Sequence, residues 1–321
     1  MDLFPLLRLL ADGAFHCGPD LAERLGVSRA SVSLALAQAA EFGVEVHSVK
    51  GRGYRLSRPL DWLDEAAVAR ALGPAARFFD LKLFDRIDST NSALLSAAQA
   101  GAPAGMVYAA EWQSAGRGRR GRRWQGELGA TLMFSLLWRF HIGVAALSGL
   151  SLAVGLAVVR ALETLGVESA RLKWPNDIVC ARGKLGGILI EVAGDSLGPS
   201  AVVIGIGLNH RLSALARAAL DQAAADLTEL GCPGDRNRLL AAILTQLAEL
   251  LPRFERDGFA PFVNDWTARH ALHGQPARLL RPDGSTLDGT VLGISADGAL
   301  RFAAGEGEVL VHAGEVSLRA A

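Results

Sequence analysis

The sequence predicts an α+β chain of three domains: a short helical head with a basic hairpin, a central mixed α/β domain and a small all-β tail. Three observations carry this. Apolar residues recur at helical spacing over most of residues 1–42, and two short alternating runs follow. β-branched and leucine-rich runs then mix with helical stretches up to about residue 272. From about Ala277 the pattern changes to short strands broken by turns at Arg281-Pro282-Asp283-Gly284 and Ala296-Asp297-Gly298. At 321 residues the chain can hold two or three domains, placed here at 1–60, 61–272 and 273–321.

In the head, Leu3 to Leu10 shows helix-spaced apolar residues. Asp20 to Leu25 gives a short helix, Gly26 a turn, and Ser28 the N-cap of a second helix reaching about Phe42. Two short helices about a glycine turn are the helix-turn-helix pattern. Val44–Val49 and Gly53–Leu56 then read as strands around the basic tip Lys50-Gly51-Arg52-Gly53, which makes the head a winged helix. Its seven Lys/Arg against six Asp/Glu do not decide between DNA and a protein partner. Four of the seven (Lys50, Arg52, Arg55, Arg58) lie in or just after the wing.

Pro59-Leu60-Asp61 reads as a linker and Glu65–Leu72 as a helix. Phe84 to Ser92 reads as a strand entering a helix, with Ser89 or Thr90 as cap. Val107–Trp112 and Thr131–Trp138 read as strands. Phe140 to Val159 is apolar enough to weigh as a membrane span, but it is barely long enough and has Arg139 and Arg160 at its ends. It reads instead as a buried helix from about Ala145 to Leu165, ended by Gly166. Residues 235–255 read as an amphipathic helix.

Lys+Arg and Asp+Glu are both 33, so net charge implies neither nucleic acid nor membrane. The three cysteines (Cys17, Cys180, Cys232) have no Cys-x-x-Cys spacing, which argues against a disulfide framework and a zinc site and fits a reducing cytoplasm. The N-terminus lacks the pattern of a signal peptide.

Against that neutral background, Ala115 to Trp124 stands out. Arg117, Arg119, Arg120, Arg122 and Arg123 crowd into seven positions, separated by Gly118 and Gly121. Guanidinium groups are almost never buried unpaired, and the glycines disfavour regular structure, so the stretch reads as a mobile cationic loop. Gly116, Gly118 and Gly121 match G-x-G-x-x-G only formally, because a strand rather than a helix follows. Further on, Lys173-Trp174-Pro175-Asn176-Asp177, Gly183-Lys184-Leu185-Gly186-Gly187-Ile188-Leu189-Ile190-Glu191 and Gly205-Ile206-Gly207-Leu208-Asn209 each put polar residues at a strand edge. With no Ser-His-Asp or Cys-His set evident, these groups suit phosphoryl-linked chemistry run by positioning and charge neutralisation.

In combination and in order, these motifs resemble those of the biotin–protein ligases, and the winged helix resembles the bifunctional subclass that also represses the biotin operon. The resemblance covers essentially the whole chain. It implies a catalytic domain like that of class II synthetases and a C-terminal SH3-like β-barrel. It implies biotin and ATP as substrates, Mg²⁺ carried by ATP with no protein metal site, and a biotin carboxyl carrier protein as partner. Operator DNA and an adenylate-linked homodimer are implied as well. Ser89, Thr90, Asn91 and Gln113 would hold the ureido ring, and Arg117-Gly118-Arg119 would close over the biotin carboxylate. Arg120, Arg122 and Arg123 would neutralise the phosphates, Trp124 would stack on adenine, and Lys184 would bridge carboxylate and α-phosphate. Asn176, Asn209 and Arg319 would contact the nucleotide or its Mg²⁺, and Asp177 would receive the acceptor lysine. Lys184, Asp177 and Arg119 are thus the candidate catalytic residues, and Arg29, Ser31, Lys50, Arg52 and Arg55 the candidate DNA contacts. The second helix departs from the regulators' pattern: Leu34 and Ala40 stand where lysine and arginine are expected. Two alternatives therefore stay open, a ligase whose winged helix no longer binds DNA and a ligand-sensing transcription factor without ligase activity.

Overall fold

The computed structural model describes residues 2–194, 198–220, 222–232, 235–281, 283–305, 307–312 and 317–320. Position 282 of the 281–284 turn and residues 314–316, which open the expected last strand, lie outside them.

The head holds α1 (Leu3–Leu9), α2 (Gly18–Leu25) and α3 (Arg29–Ala37), then the antiparallel wing β1 (Val46–Val49) and β2 (Gly53–Leu56). Ser28 caps α3 as expected, its Oγ accepting from the Ser31 amide at 3.0 Å. The helix ends at Ala37 rather than near Phe42, because residues Ala39–Phe42 tighten into a 3₁₀ turn. Leucines of α1 and Val32, Ala35 and Leu36 of α3 form a separate core.

In the central domain come α4 (Glu65–Leu72), β3 (Asp80–Ile87), α5 (Thr90–Gln99), β4 (Met106–Gln113), β5 (Thr131–Phe140) and α6 (Leu150–Thr164). They are followed by β6 (Arg171–Lys173), β7 (Asp177–Cys180), β8 (Gly183–Gly194), β9 (Ser200–Asn209), α7 (Ala214–Ala218), α8 (Arg236–Asp257) and α9 (Val263–Ala268). The sheet order is β3-β4-β5-β9-β8-β7-β6, antiparallel except for β3–β4. Strand alternation sorts β9 by face. Val202, Ile204, Ile206 and Leu208 join the core of α6 and α8, while Val203 packs with Leu94 and Ala98 of α5. The apolar run at 140–159 is therefore divided between β5 and α6. Its helix begins later than expected, after a left-handed break at Gly149 (φ 81°). No described helix is long and apolar enough to cross a membrane.

The tail comprises β10 (Pro276–Leu280), β11 (Thr286–Ile294), β12 (Leu300–Ala304), β13 (Gly307–Val311) and β14 (Ser317–Ala320). Among the described residues these pair as an open antiparallel sheet, β13-β12-β11-β10-β14. The tail shares the central core through Leu279, Val291 and Phe302.

The expected linker is a packed joint. Leu60 is buried, and Phe42 of the head meets Trp112 of β4 edge-on at 5.0 Å. Arg236, 0% exposed at the start of α8, pairs with the buried Glu111 at 2.7 Å and donates to the Asp61 and Thr131 carbonyls. Glu111 also accepts the Leu63 amide at 2.7 Å. Glu127 forms a second tie: one carboxylate oxygen pairs with Arg58, and the other accepts the Ser213 amide at 2.9 Å. Charged residues in an amphipathic helix or a loop read as solvated from sequence, so neither tie was expected there.

Candidate ligand site

The α5 face of the sheet is left uncovered where α5 begins. Alternation brings Gly205, Gly207 and Asn209 of β9 to that face beside Met133 and Ser135 of β5 and Gly187 and Leu189 of β8. The glycines make a trough. A Cβ on Gly205 would lie 2.1 Å from Asn91 Oδ1, and one on Gly207 would lie 2.4 Å from Trp124 Cε2. The amide of Asn91 and the indole of Trp124 thus rest directly on the strand backbone.

Over this floor opens a cavity of about 510 Å³. Every residue expected to bind a small molecule lines it: Ser89, Thr90, Asn91, Gln113, Arg117, Gly118, Arg119, Arg120, Arg122, Arg123, Trp124, Asn176, Asp177, Lys184, Asn209 and Arg319. Among the described lining residues are eight Lys or Arg and one carboxylate, Asp177. The eighth cation, Lys173, belongs to a motif singled out in the sequence but was not named as a site residue. Its placement at the last position of β6, facing Asp177 across the hairpin, could have drawn attention to it. Burial pushes its ammonium pKa down, and Asp177 opposes that shift.

One end of the cavity is a chain of hydrogen bonds at the start of α5. Ser89 caps the helix. The Thr90 amide donates to Gln113 Oε1 at 2.7 Å, Thr90 Oγ1 meets Ser135 Oγ at 2.7 Å, and Ser135 donates to Asn91 Oδ1 at 2.5 Å. At the other end Lys184 Nζ lies 2.6 Å from Asp177 Oδ1, so two of the three candidate catalytic residues are ion-paired.

Between the ends lies the arginine loop, which is folded on itself rather than extended. Gly118 N–H donates to the Arg122 carbonyl at 2.8 Å and Trp124 N–H to Gly116 at 2.9 Å. The corner is Arg120, at φ 59°, a left-handed conformation unusual for a non-glycine residue. Arg117 pairs with Glu191 at 2.9 Å, Arg119 donates to Asn176 Oδ1 at 3.0 Å, and Arg123 to the Ser114 carbonyl at 2.6 Å. Burial lowers the Arg119 pKa, with Asp177 acting the other way. The asparagines brace the walls: Asn176 donates to the Ile188 carbonyl at 2.8 Å, and Asn209 to the Lys184 and Ala225 carbonyls at 3.3 and 3.2 Å. The indole N–H of Trp124 is buried without a hydrogen-bond partner. Among the described residues no cluster of three or more His, Cys, Asp or Glu could hold a metal.

The candidate DNA contacts lie apart from this cavity, on the head. Arg29, Lys50 and Arg52 are exposed, and Ser31 Oγ is tied to the Ser28 cap at 2.9 Å. The Arg52 and Arg55 guanidiniums stack on Phe15 at 4.2 and 4.8 Å, an aromatic support the sequence reading missed. Leu34 projects from α3 with 70% of its surface exposed.

Comparison with known proteins agrees with this geometry. A model of the biotin/lipoate A/B protein ligase family matches residues 83–209, an HTH domain model matches 4–55, and a biotin protein ligase C-terminal domain model matches 272–319. The bifunctional ligase/repressor BirA of Escherichia coli (strain K12) is 36% identical over 319 residues, covering 98% of this chain and 97% of the relative. The chain therefore belongs to the biotin/lipoate A/B protein ligase family. BirA of Salmonella typhimurium (strain LT2) is equally similar, at 36% over 319 residues. Among solved structures, the biotin protein ligase from Aquifex aeolicus in complex with biotin and ATP superposes with a TM-score of 0.64 and 28% identity. It covers 75% of this chain and 99% of that one. Within the family, the three matched domains are those of a BirA-like bifunctional ligase/repressor.

Proposed function

We propose that this chain is an ATP-dependent biotin–protein ligase that makes biotinyl-5′-AMP and transfers biotin to a lysine of a biotin carboxyl carrier protein. The observation that carries this is one cavity in which, among the described residues, a short polar chain meets eight cations and one carboxylate. A neutral, hydrogen-bonding ring with an acidic tail fits the first part, and a triphosphate the second.

In this reading the ureido ring sits against Ser89, Thr90, Asn91 and Gln113. Its carboxylate lies under Arg117, Gly118 and Arg119, beside Lys184. Arg120, Arg122 and Arg123 face the phosphates, Trp124 stacks on adenine, and Arg319 reaches the nucleotide from the tail. Asn176 and Asn209 act chiefly by holding Arg119 and the Lys184 backbone in place. Mg²⁺ arrives on the nucleotide. A biotin carboxylate oxygen attacks the α-phosphorus, forming the acyl phosphate bond as the bond to pyrophosphate breaks. Lys184 shifts from Asp177 toward the developing phosphoryl charge, the kind of electrostatic role worth roughly 10²–10³ in rate per donor. The loop over the cavity keeps water from the mixed anhydride. The carrier lysine, aligned and deprotonated by Asp177, then attacks the acyl carbon, and AMP leaves.

The chain divides at 1–60, 61–272 and 273–321, acts in the cytoplasm, and serves also as a biotin-responsive repressor that binds operator DNA as an adenylate-linked homodimer. The exposure of Arg29 at the start of α3 and of Lys50 and Arg52 at the wing tip supports the DNA role. One observation favours a second reading of the head. Residues 30–41 contain no Lys or Arg and α3 exposes Leu34, so DNA binding rests on few charges. The deciding assay is biotin-dependent exchange of labelled pyrophosphate into ATP. Exchange is expected, and its absence from purified, folded protein leaves a sensor without ligase activity.

A further inference from the structure

Glu191 belongs to no part of the site assigned so far. It lies on β8 in the same face row as Leu189 and Gly187, with 17% of its side chain exposed. Its carboxylate has two unlike partners. Oε1 lies 2.9 Å from Arg117 Nη1, and Oε2 lies 3.1 Å from the same nitrogen and 2.9 Å from Asn91 Nδ2. Arg117 belongs to the loop, whereas Asn91 belongs to the polar chain at the start of α5.

We infer that Glu191 is a positioning residue of this site, ordering the arginine loop and setting the polarity of the ring-binding chain through Asn91. The inference rests on the ligase reading above and deepens it. An ionised carboxylate only accepts, so Asn91 must present its NH₂ to Glu191 and its carbonyl oxygen to Ser135. Ser135 therefore gives its one proton to Asn91 at 2.5 Å. The Thr90 hydroxyl must then donate to Ser135 or to Gln113 Oε1, which lie 2.7 and 3.2 Å away. Glu191, reinforced by the Leu189 carbonyl that accepts the same Nδ2 at a longer 3.4 Å, thus decides which atoms along the chain donate and which accept. A ureido ring, with one carbonyl and two N–H groups, requires such a fixed pattern. Gly205 makes the arrangement possible, since any Cβ there would displace the Asn91 amide. Both contacts to Arg117 use Nη1, which leaves Nη2 for an entering carboxylate.

Glu191→Gln keeps the shape but can donate as well as accept, so Asn91 keeps only the longer Leu189 contact to hold its orientation and Arg117 loses its counter-charge. In pyrophosphate exchange by the full-length protein, the KM for biotin is expected to rise at least fivefold while the KM for ATP stays within twofold. Bystander protein added to the reaction should become labelled as the less ordered loop releases adenylate. A smaller rise for biotin, or an equal rise for both substrates, overturns the inference. If the glutamine variant shows no cooperative unfolding transition, Glu191→Asp is read by the same criteria. Wild-type protein without any biotin-dependent exchange refutes the ligase reading itself, and this inference with it.

Discussion

Gly207→Ala asks whether Trp124 is a platform for adenine. The new Cβ would lie 2.4 Å from Cε2, 2.7 Å from Cζ2 and 2.8 Å from Nε1 of the indole. Ordinary carbon contacts are about 3.5–4.0 Å, so the ring must retreat by roughly 1 Å or more. A fused ring cannot bend aside, and the backbone cannot yield either, because Gly207 is paired with Met133 on one flank and Gly187 on the other. Base–aromatic stacking is worth about 1–3 kcal/mol, so its loss should raise the KM for ATP about 5- to 150-fold. The Thr90–Gln113 end is untouched, and the KM for biotin should stay within about twofold. The assay is pyrophosphate exchange with ATP varied at saturating biotin, alongside a thermal melt. A folded variant with an unchanged KM for ATP would show that Trp124 only anchors the loop.

Other perturbations separate catalysis, stability and DNA binding. Lys184→Ala should lower pyrophosphate exchange by about 10²–10³ with little change in melting temperature, since Asp177 still faces Lys173; near-wild-type exchange would falsify its assignment. Arg236→Met leaves Glu111 buried without its cation and should cost about 3–5 kcal/mol, lowering the melting temperature by roughly 6–20 °C. Adding Glu111→Leu should recover part of that, the Leu63 amide being left without its acceptor, and no recovery would mean the pair is not the cause. His270 is buried with neither ring nitrogen bonded, and desolvation, with His273 and Lys173 nearby, lowers its pKa to about 3. Between pH 6.5 and 3 the unfolded chain therefore binds a proton that the folded one refuses, so stability falls as pH drops through this window. Between pH 7 and 5 the wild type should lose about 2 kcal/mol more than His270→Leu in urea titrations, and parallel losses would exclude His270 as the source. Alanine at Lys50, Arg52 and Arg55 together should abolish a salt-sensitive, adenylate-strengthened binding to biotin-operon DNA; unchanged titration curves at two salt concentrations would move the contacts elsewhere.

What the sequence disclosed depended on how locally each feature is encoded. The helix caps at Ser28 and Ser89, the strands flanking the arginine loop and the cavity motifs were legible because each is a short run with its own chemistry. The residues of these motifs, from the start of α5 to β14, line one cavity on one face of the sheet. The rest depended on partners distant in sequence. Arg236 reads as the solvated start of an amphipathic helix until Glu111, 125 residues away, is seen beside it. Glu191 reads as the polar end of a strand motif, and only the fold brings Arg117 and Asn91 to its two oxygens. The loop read as mobile because glycine and arginine have no packing signature. Its hairpin comes from backbone bonds and the left-handed Arg120, which no side-chain pattern announces.

The joint at Glu127 bears on how far the chain can be dissected. A protein engineer wanting only the enzyme would cut near residue 60, treating the head as a detachable cartridge. That cut removes Arg58 from a carboxylate only 5% exposed and strips the cover from Leu128 and from the Trp112 face that Phe42 now meets. The orphaned Glu127 still holds the amide of Ser213, whose side chain caps α7, and the segment after α7 supplies Ala219 and Leu220 to the cavity wall. A headless version would carry a new apolar scar and an unbalanced charge two steps from its own ligand wall. Minimal biotinylation tools cut from this chain should therefore keep the head or repair position 127.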